Sequence, residues 1–344
     1  QTCALPIYTI KESDEFRHYY QQWKEELDNA IQLVGTYSNF GVHASGVLVS
    51  SEPLYLHAPI ENSKGNLCSA YDMKNVERVG LVKYDFLGLA AFHQVALCLE
   101  HIKRLHNKEI DFKKINLEDS KIFNNIYAKG KTASVFQFAS KGMQQALRDV
   151  EASNIEDLIA VAALYRPGPM DYIPQYAEGK RHPESIRYAH PIIEKHLSVT
   201  YGIMVYQEQA MFLARDMAGF TWQQVDKLRK AISKKKIELF IKYKEMFIVN
   251  GQKNLECTEQ EITNLWDQVQ AFSEYGFNLS HACAYTYVTM WLLCLKAHYP
   301  HEFYTSILSC ETLTDKIKEY KMEAKIHSVE MERIDINKSN VNFD

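Results

Sequence analysis

Hydrophobic positions follow two rhythms along this chain. Early on they alternate with polar ones over short runs; from Ser134 onward they recur at three- and four-residue intervals through one helical pattern after another. The clearest alternating run is Gly80–Leu89, GLVKYDFLGL. It predicts one buried strand that runs into a turn and then a helix. Val82, Tyr84 and Phe86 are expected to face the core, and Lys83 and Asp85 share the other face about 7 Å apart. Phe40–Ser50, FGVHASGVLVS, predicts a second short strand, and its Gly and Ser residues suit a close approach of the backbone to something else. Between the two, Glu52–Lys74 reads as a polar, turn-rich loop. Ahead of them, Phe16, Tyr19, Tyr20 and Trp23 fall at i, i+3, i+4 and i+7, which predicts an amphipathic helix over Asp14–Leu33.

Downstream the elements are helical. Ala90–Leu105 carries apolar residues at helical spacing and basic residues in its last turn, where the helix dipole favours them. Lys113–Thr132 is a polar connection. Asn154 is placed to cap a helix over Asn154–Leu164 with Glu156 and Asp157 in its first turn, and Arg166-Pro167-Gly168-Pro169 stops it. Ile173–Arg187 reads as a basic loop. Helices follow over Tyr206–Ala218, Thr221–Lys236, Thr258–Phe272, Ala284–Tyr299 and Asp315–Glu330. Thr258 and Glu261 have the spacing of a capping box, and Ala284–Tyr299 is apolar nearly all round, as a core helix is. The change of rhythm puts a domain boundary near residues 95 to 110.

Composition narrows the picture. At 344 residues the chain is long enough for two or more domains with their own cores. Its net charge of −4 is no bulk attractor for nucleic acid, so any such surface must be local. Seven cysteines without a C-x-x-C pair point to reduced cytosolic thiols rather than a zinc site or a disulfide framework. The most apolar stretch, Ala282–Leu295, is shorter than the roughly 20 residues of a membrane span. Gln1–Ile7, QTCALPI, reads like a translated sequencing adapter and is set aside.

Several stretches could carry chemistry. Lys83 and Asp85 could form a local ion pair, or a carboxylate for a metal beside a cation for phosphate. His43 could be a satisfied hydrogen-bonding residue or line a site. Arg166 sits in a stiff Pro-Gly-Pro loop, either at a plain helix stop or at a phosphate site. Six basic residues fall within Lys227–Lys236. In Thr221–Lys236 the apolar stripe is Val225, Leu228 and Ile232, and Arg229 and Lys230 lie off it, about 100° apart. That cluster is a solvated face or a local anion site. In Tyr275–Tyr285, YGFNLSHACAY, aromatic faces could stack on a base, and Asn278 and His281 could hydrogen-bond base, sugar or phosphate.

Eight stretches, taken in order, resemble the alpha subunit of bacterial DNA polymerase III, the C-family replicative polymerase. They are GVHASGVLVS, GLVKYDFLGL, SVFQFASKGM, LYRPGPMDYI, YGIMVYQEQ, KLRKAISKKK, YGFNLSHACAY and LKAHYPHEFY. The resemblance implies an α+β, predominantly α-helical fold: a partial polymerase-beta-like nucleotidyltransferase palm followed by an all-helical fingers domain. Residues 8–35 would end the thumb, 36–100 would be the C-terminal part of the palm, and 101–344 the fingers. It implies template-directed addition of deoxynucleotides to a primer 3′ end with two Mg²⁺ ions. Asp85 matches the third metal-binding carboxylate of the palm, the other two lying on an upstream strand this chain lacks. Lys83 matches the palm lysine beside the triphosphate, and Arg229 and Lys230 the paired basic residues that meet it. The family's usual Arg-Arg is Arg-Lys here; lysine keeps the charge and lacks the planar fork. Arg166, Asn278 and His281 sit in matching nucleotide-binding motifs. The implied partners are primer-template DNA, deoxynucleoside triphosphates, and a sliding clamp and other replisome subunits through regions beyond this chain. The expected setting is the cytoplasm, with no membrane. The stretch reads as a fragment, inactive alone. A non-catalytic helical nucleic-acid-binding module, with Lys83 and Asp85 a mere ion pair, is the alternative.

Overall fold

The computed structural model describes residues 14–33, 36, 41–63, 65–124, 131–233, 237–255, 258–273, 276–339 and 343. The expectations for Gln1–Ile7 and for Lys234–Lys236 lie outside the described residues. Two compact units are present, one up to Gly88 and one from Leu89. The boundary expected at 100/101 falls inside the helix Ala90–His106, whose buried stripe Ala91, Val95, Cys98 and Ile102 belongs to the core of the second unit.

In the first unit the helix expected over Asp14–Leu33 is two helices, α1 (Asp14–Gln22) and α2 (Lys24–Gln32). Trp23 leaves the helical region between them (φ −121°, ψ 40°). Strand β1 (Gly46–Val49) follows, then a hairpin of β2 (Ile60–Ser63) and β3 (Asn66–Ser69), helix α3 (Met73–Arg78) and strand β4 (Val82–Asp85). The hairpin lies in the segment expected to be a loop, and Gly65 turns it with a positive φ of 85°. Asp72 caps α3 by accepting the Asn75 N–H.

β1 and β4 pair antiparallel, with Gly46 opposite Asp85, Val47 opposite Tyr84, Leu48 opposite Lys83 and Val49 opposite Val82. The strand forms where alternation predicts it, but its burial is the reverse of the expectation. Val82, Tyr84 and Phe86 are 52, 53 and 71 % exposed, whereas Leu81 and Leu48, on the opposite face, pack with Ala58 and Val76. Alternation marks two faces; which one is covered depends on where α3 and the turn Leu54–Leu56 settle, and they settle on the Leu48–Leu81 side.

The second unit is helical, so the chain is mostly helical with two small antiparallel sheets. Besides the single turn Ser120–Ile122, its described helices are α4 (Ala90–His106), α5 (Lys141–Val150), α6 (Ile155–Leu164), α7 (Ile173–Arg181), α8 (Pro191–Leu197), α9 (Gln207–Ala218), α10 (Trp222–Ser233), α11 (Ile237–Asn254), α12 (Glu259–Ser273), α13 (Leu279–His298), α14 (Pro300–Cys310) and α15 (Thr314–Ile326). The expected loop at Ile173–Arg187 is mostly helix α7, because Pro174 sits in its first turn, where a missing N–H costs nothing. Asn154 caps α6 by accepting the Asp157 N–H, and Thr258 and Glu261 close the capping box of α12. None of the described helices is long and apolar enough to cross a membrane.

Two hydrophobic cores sustain the unit. The first joins α4, α5, α6, α7, α13 and α14 around Leu147, Leu158, Tyr176, Leu293 and Phe303. The second joins α9, α10, α11 and α12 around Leu213, Val225, Phe247 and Trp266. Buried charges sit inside the first. Lys296 Nζ donates to Glu323 Oε1 at 2.7 Å, to the Lys131 carbonyl and to Ser134 Oγ, both at 3.1 Å. Asp157 accepts from Lys180 Nζ at 2.7 Å and from the Tyr176 hydroxyl at 3.1 Å.

His327 lies against this first cluster, its ring 5.9 Å from that of Tyr304. Burial, reinforced by the Lys296 and Lys131 charges and opposed by Glu323, pulls its pKa down to about 4. The folded ring thus stays neutral where an unfolded one, at about 6.5, takes up a proton. The unfolded state binds more protons across that window, so stability is full above pH 6.5 and falls as pH drops toward 4. Denaturant midpoints at pH 7 and pH 5 should differ less in His327→Asn than in the parent; an equal drop in both would remove His327 from the acid sensitivity.

Candidate functional site

The sequence-predicted residues fall into three local arrangements. The first lies on the β1–β4 pair. Lys83 Nζ sits 2.6 Å from Asp85 Oδ1, and His43 Nε2 is 3.8 Å from the same oxygen. His43 Nδ1 accepts the Ser45 N–H at 3.2 Å, which fixes the ring and leaves Nε2 facing the carboxylate. The Lys83 hydrogen bond, opposed by desolvation and helped by the charges of Lys83 and His43, holds the Asp85 carboxyl below the usual carboxylate range. Asp85 is therefore an anion at neutral pH, half exposed and ready to accept.

A hard divalent cation takes several oxygens, commonly from more than one carboxylate. Among the described residues no three His, Cys, Asp or Glu side chains gather to hold a metal ion. Here Asp85 faces an ammonium and an imidazole. The described residues do not by themselves fit a Mg²⁺ centre; Asp85 offers one ligand toward one.

The second arrangement is built at the N-terminus of α13, where four of the sequence motifs meet. Asn278 Oδ1 caps the helix by accepting the His281 N–H at 2.8 Å, and Glu208 Oε2 accepts the Leu279 N–H at 2.9 Å. Gln207 N–H bonds the Phe277 carbonyl, Phe277 N–H bonds the Val205 carbonyl, and the Gln207 side chain holds the Gly276 carbonyl. The start of α9 is thus stitched to the start of α13. Gln209 completes the joint: its amide oxygen accepts from Val205 and Tyr206, and its amide nitrogen donates to the His196 carbonyl and Thr200.

On this base stands a file of rings. The Arg166 guanidinium lies 4.4 Å over Phe277. Phe277 meets His281 edge-on at 5.4 Å, His281 stacks on Tyr285 at 4.2 Å, and Tyr285 leans on Phe136 at 5.7 Å. Arg166 Nε donates to the Ala163 carbonyl at 2.8 Å. Desolvation lowers its pKa, but a guanidinium remains charged. The α13 N-terminus is already occupied by Glu208 and Asn278, so what suits an anionic ligand carrying a planar group is the Arg166 guanidinium beside the partly exposed rings. Asn278 has its oxygen engaged as the cap, so only its amide N–H groups can meet a ligand.

The third arrangement is on α10. Val225 and Leu228 are buried in the second core as the stripe predicts; the side chain of Ile232 lies outside the described residues. Asp226 lies 2.9 Å from Arg229 and 2.6 Å from Lys230. Hydrogen bonds from Lys230 and then Arg229 lower its pKa. Arg166, Asn278 and His281 are thus brought together around the first core, while Arg229 and Lys230 stand on the second.

Sequence reasoning named the aromatics of Tyr275–Tyr285 as a stacking surface, but it missed Asp226, the contacts that Phe277 and Tyr285 make with His281, and the bond from the Leu279 N–H to Glu208. The i, i+3 and i, i+4 spacing of Asp226 to Arg229 and Lys230 was a signal for the first, and the four-residue spacing of Phe277, His281 and Tyr285 for the next two. Nothing local links Glu208 to Leu279.

Comparison with known proteins decides the family. The model of the bacterial DNA polymerase III alpha NTPase domain matches residues 6–88, and that of the bacterial DNA polymerase III alpha subunit finger domain matches residues 93–255. DNA polymerase III subunit alpha of Aquifex aeolicus is 38 % identical over 323 residues, which is 93 % of this chain and 28 % of that protein. The chain belongs to the bacterial DNA polymerase III alpha family. The Thermus aquaticus subunit is likewise 38 % identical over 327 residues, and that of Halalkalibacterium halodurans 36 % over 329 residues. The chain spans about 28 % of the length of the first of these relatives. Its two matched regions meet beside the structural break between Gly88 and Leu89.

Proposed function

We propose that this chain is part of a template-directed DNA polymerase that extends a primer 3′ end with deoxynucleotides in cytoplasmic DNA replication. The observation that carries it is the pair of family matches, running in order through both units of a chain related to polymerase subunits over nearly its whole length. In this reading α1 and α2 end the thumb, the β1–β4 unit is part of a polymerase-beta-like nucleotidyltransferase palm, and the helical unit is the fingers. Asp85 contributes one carboxylate toward Mg²⁺, and the other donors belong to the rest of the intact protein. That remainder would also meet the sliding clamp and other replisome subunits.

The residues of this chain then bind and orient the nucleotide. Lys83, Arg229 and Lys230 supply positive charge to the triphosphate. Arg166 and His281 flank an aromatic file able to take a planar group, and the Asn278 amide can donate to it. The alternative of a non-catalytic nucleic-acid-binding module predicts that none of these side chains affects turnover beyond its effect on DNA affinity.

Arg229→Ala in the intact protein tests the assignment. Leu228 and Val225 anchor α10, so truncating the partly exposed Arg229 should leave folding unchanged. A lost charge-assisted contact is worth ~1.5–3 kcal/mol, or roughly a tenfold to hundredfold loss in catalytic efficiency for nucleotide. Nucleotide titration in single-turnover extension, beside primer-template binding, reads both effects. Weaker DNA binding with an unchanged nucleotide dependence would move the basic cluster onto the DNA backbone.

A further inference from the structure

We propose that Gly46 is a positioning residue for Lys83 and Asp85: its missing side chain is what lets the Lys83 ammonium reach the Asp85 carboxylate. The inference rests on the reading of Lys83 and Asp85 given above and adds to it a residue whose own chemistry is nil.

The argument starts from the register. Gly46 pairs with Asp85 and Leu48 with Lys83, so these four residues share one face of the β1–β4 pair. Residues two apart on a strand stand about 7 Å apart. For Lys83 Nζ to lie 2.6 Å from Asp85 Oδ1, its stem must run along the face toward Asp85. That route crosses the diagonal neighbour of Lys83, which is Gly46. A Cβ placed on Gly46 would stand 2.6 Å from Lys83 Cε, 2.9 Å from His43 Nδ1 and 3.2 Å from Asp85 Oδ1. The first two separations are closer than real contacts allow.

The backbone does not ask for glycine here. Gly46 is not among the described glycines of positive φ, unlike Gly65 and Gly80. What excludes a side chain is the trio of groups above it. His43 is tethered through the Ser45 N–H, whereas the end of Lys83 is flexible. A methyl group at position 46 therefore moves Lys83 first and draws its charge off Asp85. The strand itself should keep its stability, because glycine is a weak strand former.

The experiment uses the intact polymerase in four forms: parent, Gly46→Ala, Lys83→Ala and the double variant. Three quantities are measured on each: single-turnover rate, equilibrium nucleotide binding on a dideoxy-terminated primer-template, and thermal midpoint. Gly46→Ala should weaken rate or nucleotide binding by about tenfold or more, the scale of one charge-assisted contact, at an unchanged thermal midpoint. In the Lys83→Ala background the same substitution should cost clearly less, since no lysine stem then crosses position 46 and only the crowding of His43 Nδ1, at 2.9 Å, remains. An equal loss in both backgrounds, or no loss in the parent, overturns the role of Gly46. A Lys83→Ala protein indistinguishable from the parent would instead overturn the reading of the site itself, and the positioning role with it.

Discussion

If Asp85 holds metal as proposed, Asp85→Asn in the intact protein should lower turnover about a thousandfold, equivalent to about 4 kcal/mol of transition-state stabilisation, while primer-template affinity stays close to the parent's. The substitution keeps the shape of the side chain and removes its charge. Its cost to folding should be small, because Asp85 is half exposed and its pair with Lys83 is a surface ion pair, a class that contributes little to stability. Turnover has more to lose. Asp85 is the acid of the β1–β4 pair at which Lys83 and His43 converge, and the Lys83 hydrogen bond keeps it ionised. Single-turnover extension at saturating nucleotide, with DNA binding measured alongside, separates the effects. A joint fall of binding and turnover would make Asp85 structural. Unchanged turnover would reduce it to an ion pair.

The largest effect on stability should come from Lys296→Ala. Lys296 is fully buried and Glu323 nearly so. Burial lowers the Lys296 pKa, with Glu323 opposing. Burial pushes that of Glu323 up, but the attraction and hydrogen bond of Lys296 outweigh it and leave Glu323 an anion. Glu323 also accepts from the Ala133 N–H and the Ser134 hydroxyl, so the pair pins the segment before α5 onto α13 and α15. Removing the lysine strands a buried carboxylate, a change that costs about 3–5 kcal/mol. At about 2–4 °C per kcal/mol, the thermal midpoint should drop by about 6–20 °C. Lys296→Met combined with Glu323→Leu should recover most of the loss, because an apolar pair leaves no charge to strand. If the double variant is as unstable as Lys296→Ala, the hydrogen bonds to the backbone rather than the charges carry the joint.

How much of this was legible in the sequence depends on the range over which the deciding forces act. Local rules placed Asn154, the Thr258–Glu261 box, the buried Val225 and Leu228, and the strand at Val82–Asp85. The β2–β3 hairpin was missed because IENS and NLCS alternate too weakly to outweigh their polar character. Helix α7 was missed because Ile173–Arg187 reads as a basic loop, and it contains Pro174 and Gly179. Yet proline opens the helix, and Gly179 lets the Tyr201 side chain approach to 2.7 Å from where a Cβ would stand. The exposed face of Val82, Tyr84 and Phe86 shows the limit of alternation, which carries no information on which side is covered. At the site, the motifs gave Arg166, Asn278 and His281 separately. Their meeting depends on bonds between residues far apart in sequence, such as Glu208 with the N–H of Leu279.

The pairing of Asp226 with both Arg229 and Lys230 has a consequence for how a polyanion would arrive. A bare basic cluster collects chloride from solution, releases it when an anion binds, and so loses affinity steeply as salt rises. On α10 much of that neutralisation is built into the helix. Asp226 is a tethered counterion at fixed local concentration, which dilution cannot remove and salt screens without releasing it. An incoming triphosphate would displace a carboxylate that swings aside rather than ions that leave. Binding at Arg229 and Lys230 should therefore weaken with ionic strength less than two free cations would imply, and the anion must out-compete Asp226 through geometry as well as charge.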